Sequence, residues 1–311
     1  MTAAGEARIG DLGRDAFESG IGGSGVGVRF GPFDVHLTVT ARDLWGPLYE
    51  LYRDYPMLQG VRPYTCRVAL DPVRSWRHWR ADRIRLRGDG RPPHEDMPLP
   101  HALAVLEWGL NLVIALRHQA YLMLHAAAVE RNGRVLLLPA SPGHGKTTLC
   151  AGLAHRGWRF LSDEFGLVRP GTREAIPVPR PLPLKNASIG VIRGFAPDAC
   201  LGPEIPGTRK GTVAHLRPPA ASILRADEPA PIAGIVFPRW MTGAALALEP
   251  VRPGHAFMEL ATHAFNYEVL GYDGFRTVRD IVGGAACHRL VYSDLEEAVA
   301  LLTALSDEGR T

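Results

Sequence analysis

Residues 136–149 read LLLPASPGHGKTTL, and the fold turns on how that stretch is read. The apolar run at 135–138 predicts a buried strand, residues 141–145 a tight Gly-rich turn, and Lys146-Thr147-Thr148 the opening of a helix. The phosphate-cradling pattern asks for Gly, four residues, then Gly-Lys and Ser or Thr. Here Ala140 stands at the first Gly, and Gly145, Lys146 and Thr147 complete the pattern. In such a turn successive backbone N–H groups point inward, and the helix behind them adds partial positive charge. Gly143 and Gly145 flank His144 and supply the freedom to take positive φ. Ala140 is compatible with the pattern provided its φ is negative. The loop expected to hold ATP is therefore Ala140, Ser141, Pro142, Gly143, His144, Gly145, Lys146, Thr147 and Thr148. Lys146 would bridge the β- and γ-phosphates, and the Thr147 hydroxyl would ligate Mg²⁺.

The first acids beyond the loop are Asp163 and Glu164, Asp163 lying 17 residues past Lys146. That interval suits one helix and the adjacent strand, which would bring both carboxylates to the mouth of the loop. It is shorter than the crossover leading to the acidic strand of motor-type NTPases. Asp163 is the candidate base for a hydroxyl proton, and Glu164 is a candidate Mg²⁺ ligand or a structural acid. The alternative is a strand-end turn with solvated acids. His125 falls on the strand before the loop strand. It is either a packed core histidine or a neighbour of Asp163 across adjacent strands.

Composition bounds the rest. The chain has 311 residues, 46% of them hydrophobic, enough for a sizeable core in one large domain or two ordinary ones. A net charge of +3 does not argue for nucleic acid. Cys66, Cys150, Cys200 and Cys287 lie far apart, which fits free thiols in a reducing cytosol and no zinc site. The N-terminus carries Glu6, Arg8, Asp11 and Arg14 among glycines and does not read as a signal peptide. No apolar run reaches the ~18 residues that span a bilayer. The longest, around 103–116, is interrupted by Glu107, Trp108, Gly109 and Asn111. A soluble cytoplasmic protein with no membrane partner is expected.

Along the chain, residues 1–27 read as a flexible Gly-rich tail. VRFGPFDVHLTV alternates like a strand pair around Gly31-Pro32, and a helix with Leu44, Leu48 and Leu51 on one face follows, stopped by Pro56. The stretch 73–91 holds seven arginines against two aspartates, with Trp76 and Trp79 interleaved. It is either a solvated arginine face over packed tryptophans or a docking surface for an acidic or extended peptide. A helix is expected over about 101–118, and strands over YLMLHAAAV and GRVLLLPA joined at Asn132-Gly133. RGWRFLSDEFGLVRPG reads as a second buried strand pair, PIAGIVFPRW as a strand, and 255–270 and 294–305 as helical. The region between about 177 and 229 reads as Pro-rich and then loop-rich.

LHAAAVERNGRVLLLPASPGHGKTTL resembles the HPr kinase/phosphorylase family in layout: a His opening a strand, a Gly turn, then the phosphate loop. LSDEFGLV stands where that family carries its Ala-Asp-Asp catalytic strand. PLPLKNASIGVIRGFAPD, KGTVAHLRPP and LEWGLN resemble the bacterial HprK-related kinase A family, a resemblance running from about residue 28 to 302. It implies an α/β fold: a PEP-carboxykinase/HPr-kinase-like P-loop core with a mixed β-sheet, preceded by a smaller α+β N-terminal domain. The expected organisation is a tail over 1–27, an α+β domain over 28–120 and a kinase domain over 121–311. The resemblance also implies a PqqD-type peptide chaperone as partner, modified-peptide gene clusters and a possible homo-oligomer. Carried over, Lys146 and Thr147 match the phosphate and Mg²⁺ residues, Asp163 the general base, and His125 the histidine that supports it. Glu164 replaces that family's second Asp, and its Mg²⁺-binding Glu before Arg-Gly-Leu-Gly has no counterpart. Lys185, Asn186, Lys210, Thr212, His215 and Arg217 occupy the corresponding region. HPr itself is therefore not the expected acceptor.

The expected function is an ATP-dependent Ser/Thr kinase acting on a peptide or protein. Asp163 would take the hydroxyl proton, tuned by His125, while Lys146, Mg²⁺ and Arg217 or Lys210 neutralise charge and Lys185 makes a second phosphate contact. TRKGTVAHLR at 208–217 reads as a mobile loop over the site or as an ordinary exposed loop. The competing expectations are a nucleotide-gated binding module with little transfer, and a small-molecule kinase.

Overall fold

The computed structural model describes residues 7–60, 62–74 and 81–309. They fall into two compact units. The first comprises Met1–His118, Pro183–Ile189 and Ala199–Arg217, and the second Gln119–Leu182, Gly190–Asp198 and Pro218–Thr311.

The first unit opens with α1 (Ile9–Leu12) and α2 (Arg14–Gly22). Phe17 and Ile21, four apart on one helical face, are fully buried together with Ile9. Residues 1–6 of the flexible tail expected over 1–27 lie outside the described residues; for residues 9–22 the expectation is corrected, since three large apolar side chains anchor them despite the surrounding glycines. Next come β1 (Val26–Phe30), β2 (Phe33–Val39), α3 (Trp45–Tyr52), β3 (Met57–Leu58), β4 (Cys66–Arg74), β5 (Ala81–Gly88), β6 (Met97–Pro98) and α4 (Ala102–Arg117). The strands form a mixed sheet in the order β3-β1-β2-β4-β5-β6, with β2 and β4 parallel. β1 and β2 pair across the Gly31-Pro32 turn with Phe30 opposite Phe33; β2 alternates as read, whereas β1 buries Val26, Gly27, Val28 and Phe30 and leaves only Arg29 part-exposed.

In β5 Ile84 and Leu86 face inward while Arg83, Arg85 and Arg87, alternating with them, face solvent. Arg85 meets Asp96 at 2.7 Å, and Arg87 pairs with Asp71. The described part of the arginine-rich stretch is thus a solvated, ion-paired strand face. Trp76 and Trp79 lie outside the described residues, and with them the docking surface expected there. The helical run Leu99–Arg117, 19 residues, is long and apolar enough to cross a membrane, yet more than half of it is buried. It packs on β4 and β5, and its buried Glu107 accepts a hydrogen bond from the Tyr52 hydroxyl.

The second unit begins with β7 (Leu122–Leu124), β8 (Ala126–Arg131), β9 (Arg134–Pro139), α5 (Lys146–Ala154), β10 (Arg159–Ser162), β11 (Gly166–Val168) and β12 (Glu174–Ile176). The chain continues through β13 (Leu182–Lys185), α6 (Ala187–Phe195), β14 (Ile205–Thr208) and β15 (Gly211–Leu216), whose strands form a small sheet in the order β13-β15-β14. It ends with α7 (Ala220–Leu224), β16 (Ala230–Trp240), β17 (Ala247–Pro250), α8 (Pro253–Thr262), α9 (Tyr267–Leu270), α10 (Tyr272–Gly284), β18 (Ala286–Tyr292) and α11 (Leu295–Asp307). The large sheet runs β10-β8-β9-β16-β12-β11-β7, with β18 on the other part of β16 and β17 beside β18.

The Asn132-Gly133 hairpin is present, both residues at positive φ and Arg131 opposite Arg134. β10 and β11 are not a pair: β10 bonds to β8, and β11 to β7 and β12. α10, β17 and β18 were not read from the sequence. Gly274, Thr277, Gly283 and Gly284 dilute the helical signal of α10. Residues 208–217 are no mobile loop: β15 buries Val213, Ala214, His215 and Leu216.

Strand direction matters most for the site. β8 is antiparallel to both β9 and β10, and β16 is parallel to β9 and β18. Hence β10, β9, β16 and β18 all end at one edge of the sheet, where β8 begins. In open α/β sheets ligands bind outside the carboxyl ends of such strands.

Candidate functional site

Five segments meet at that edge: His125 before β8, the loop after β9, Asp163 after β10, Trp240 closing β16 and Tyr292 closing β18. The loop residues Ser141, Pro142, Gly143 and His144 are exposed, and the His144 N–H donates to Ser141 O at 3.3 Å to close the turn. Gly143 and Gly145 sit at φ +88° and +83°. Among the described residues the non-glycine positions at positive φ are Asp89, Asn132 and Asn186. Ala140 is not one of them, so the missing loop glycine is not needed here.

Gly145 caps α5 in the left-handed conformation and no side chain caps that helix. Its carbonyl accepts from Leu149 N–H at 2.9 Å and from the Tyr292 hydroxyl at 3.0 Å. A Cβ at Gly145 would collide with that hydroxyl and approach Trp240 Cβ to 2.8 Å, whereas one at Gly143 would meet open space. The amides of Lys146, Thr147 and Thr148 precede the first intrahelical bond and face the turn.

Asp163 organises the interior of the site. Lys146 Nζ donates to Asp163 Oδ1 at 2.9 Å and also to the Asp163 carbonyl oxygen. Thr147 Oγ1 donates to Asp163 Oδ2 at 2.9 Å. The side chains of Lys146 and Asp163 are 8% and 3% exposed, so the ion pair is buried. Beneath it Cys150 is fully buried, its thiol pushed well up by burial and then by the Asp163 charge, with Sγ 3.8 Å from Ser162 O. Ser162 Oγ accepts from Phe165 N–H at 3.0 Å and holds the turn that aims Asp163 at the loop.

His125 donates its backbone N–H to His263 O at 2.7 Å, and its ring lies 5.6 Å from Phe265 and 6.1 Å from His263. Burial, then the Lys146 charge, push the His125 imidazole down to about 4, against the opposing pull of Glu164 and Asp163. His263 is lowered by its own burial, with Glu259 pulling the other way and Lys146 and His144 adding to the fall. These imidazoles are neutral at neutral pH. The hydrogen bonds to the Asp163 carboxylate come from Lys146 and Thr147.

The residues fit the groups that the loop pattern implies. A hydroxyl and a carboxylate oxygen 2.9 Å apart are hard oxygen donors of the kind Mg²⁺ takes, with phosphate oxygens and waters completing its shell. The exposed glycine turn and uncapped helix start fit phosphate oxygens. Among the described residues no group of three or more His, Cys, Asp and Glu side chains could hold a metal by itself.

Lys146, Thr147, Asp163, Glu164 and His125 lie together in the second unit. Lys185, Lys210 and Arg217 lie in the first. There the Arg217 guanidinium meets Asp54 at 3.4 Å and donates to Glu50 O at 2.8 Å, and the Lys210 ammonium sits 4.9 Å over the Trp108 ring. Sequence reasoning missed Trp240, Tyr292, His263 and Phe265. The strand-like PIAGIVFPRW ending in Trp240 was the one available signal.

No protein-family model matches the chain, and no curated protein does. Among solved structures, the HPr(Ser) kinase/phosphatase from Coxiella burnetii is similar over 60% of this chain and 95% of its own, at 10% identity and a TM-score of 0.26. That likeness is distant, a relation of fold at most.

Proposed function

We propose that the chain is an ATP-dependent kinase that phosphorylates a Ser or Thr hydroxyl of a peptide or protein, with a PqqD-type chaperone as the partner that presents it. The observation that carries this reading is the shared grip of Lys146 and Thr147 on the Asp163 carboxylate, directly behind an exposed glycine loop. The loop amides and Lys146 hold the phosphates, and Thr147 with Asp163 would hold Mg²⁺. Bound there, the ion would screen the phosphate oxygens and leave less negative charge to repel the incoming hydroxyl. Once the phosphates draw Lys146 away, an Asp163 oxygen is released to accept the acceptor's proton. The acceptor oxygen bonds to the γ-phosphorus as the bridging P–O bond breaks and ADP leaves. His125, neutral, keeps competing positive charge off the carboxylate.

One observation favours a nucleotide-gated binding module instead: Asp163 is only 4% exposed and both its oxygens are engaged. Calorimetric titration of Mg·ATP into the wild type and Lys146→Ala, followed by labelled-phosphate transfer onto candidate peptides with wild type and Asp163→Asn, separates the two. A kinase binds ATP through Lys146 and transfers label only with Asp163 intact. A binding module binds ATP and transfers nothing in either form. Label appearing without any peptide would point to a small-molecule kinase.

A further inference from the structure

The loop has two unlike flanks. Toward β8 and β10 stand Asp163 and His125; toward β16 and β18 stand Trp240 and Tyr292. Lys146, Thr147 and Asp163 mark the place of the terminal phosphate. A nucleoside attached to the far end of the phosphate chain therefore leaves the loop on the opposite flank.

Trp240 stands there in a particular state. Its backbone N–H donates to His144 O at 3.1 Å, which ties it to the loop itself. Its indole Nε1–H donates to Ser293 O at 3.0 Å, and Gly243 N–H donates to Ser293 Oγ at 2.9 Å. Met241 N–H donates to Tyr292 O at 2.9 Å. The ring is anchored through its N–H and the backbone around it is tied to the loop and to β18, yet the residue is 46% exposed. A large aromatic face kept in water and already ordered loses little rotamer freedom when something stacks on it.

We propose that Trp240 is the stacking platform for the nucleotide base, favouring purines over pyrimidines and reading no base edge. The indole N–H is committed to Ser293, so the platform offers a π-face and no hydrogen bond. Adenine and guanine should therefore bind alike, and a smaller pyrimidine ring more weakly. The inference rests on the nucleotide reading of the loop given above.

The test is equilibrium binding of the Mg²⁺ complexes of ATP, GTP, CTP and inorganic tripolyphosphate to the full-length wild type, Trp240→Ala and Trp240→Phe. In Trp240→Ala, ATP and GTP should weaken about tenfold, a typical loss for one stacked base, while tripolyphosphate is unchanged. Trp240→Phe should stay within about threefold of the wild type. Equal ATP affinity in Trp240→Ala and wild type overturns the stacking role alone. So does an equal loss of tripolyphosphate, which would mean that the loop was distorted when Trp240 was removed from Gly145. A wild type that binds neither nucleotide nor tripolyphosphate defeats the nucleotide reading, and the platform with it.

Discussion

Replacing Asp163 by alanine strands the Lys146 ammonium in a site where it is 8% exposed. Removing one partner of a buried ion pair costs about 3–5 kcal/mol, because the remaining charge is left without solvent or counter-ion. The Thr147 hydroxyl loses its acceptor in the same step, worth about 1 kcal/mol. A total of about 4–6 kcal/mol lowers Tm by roughly 10–20 °C for a domain of about 150–250 residues. Removing both charges, as in Lys146→Met with Asp163→Ala, leaves nothing stranded, so the double variant should be more stable than the sum of the singles by about 2 kcal/mol. Scanning calorimetry on the four proteins completes the cycle. Nucleotide supplies a second check: phosphate replaces the carboxylate as the partner of Lys146, so ATP without Mg²⁺ should raise Tm more in Asp163→Ala than in the wild type. An Asp163→Ala protein within about 1 kcal/mol of wild type, with additive effects in the cycle, would refute the buried pair as the organiser of the site.

Three further outcomes are expected. His125 is held neutral by burial and by Lys146, so its imidazole should titrate near 4 in the folded protein, and higher in Lys146→Met. The unfolded chain takes up that proton at about 6.5, so this contribution to stability is whole above that pH and is lost as the pH falls toward about 4; an NMR midpoint near the unperturbed value would contradict the placement of His125. Gly143→Ala should cost only about 1 kcal/mol, the left-handed strain alone, while Gly145→Ala must also displace Tyr292 and Trp240 and should lose clearly more in urea unfolding. Cys200, half-buried, should take a thiol reagent in the native protein, while Cys66, Cys150 and Cys287 react only after unfolding, as peptide mass mapping would show.

Much of the site's backbone was legible because its signals are local. The apolar run at 135–138, the glycines at 143 and 145 and the Lys-Thr-Thr that opens α5 lie within one short stretch. The interval to Asp163 was informative because a helix and a return strand leave few other places for it. Trp240 and Tyr292 were not legible: Tyr292 lies 147 positions from the glycine whose carbonyl it holds. The arginines of β5 were read ambiguously, since pairing with Asp71 and Asp96 depends on which strands become neighbours. The N-terminal 27 residues misled by composition, because many glycines hid the Phe17 and Ile21 that anchor a helix.

What the sequence by itself determined is the strand, the turn that needs glycine at positive φ, the helix behind it and the Asn132-Gly133 hairpin beside it. Each follows from steric and hydrogen-bonding limits acting over a few residues. Tertiary structure alone decided which carboxylate meets Lys146, which aromatic residues flank the loop, and that residues 183–189 and 199–217 join the first unit. Those outcomes depend on strand order and direction in a sheet built from distant segments, and no short window of sequence carries that information.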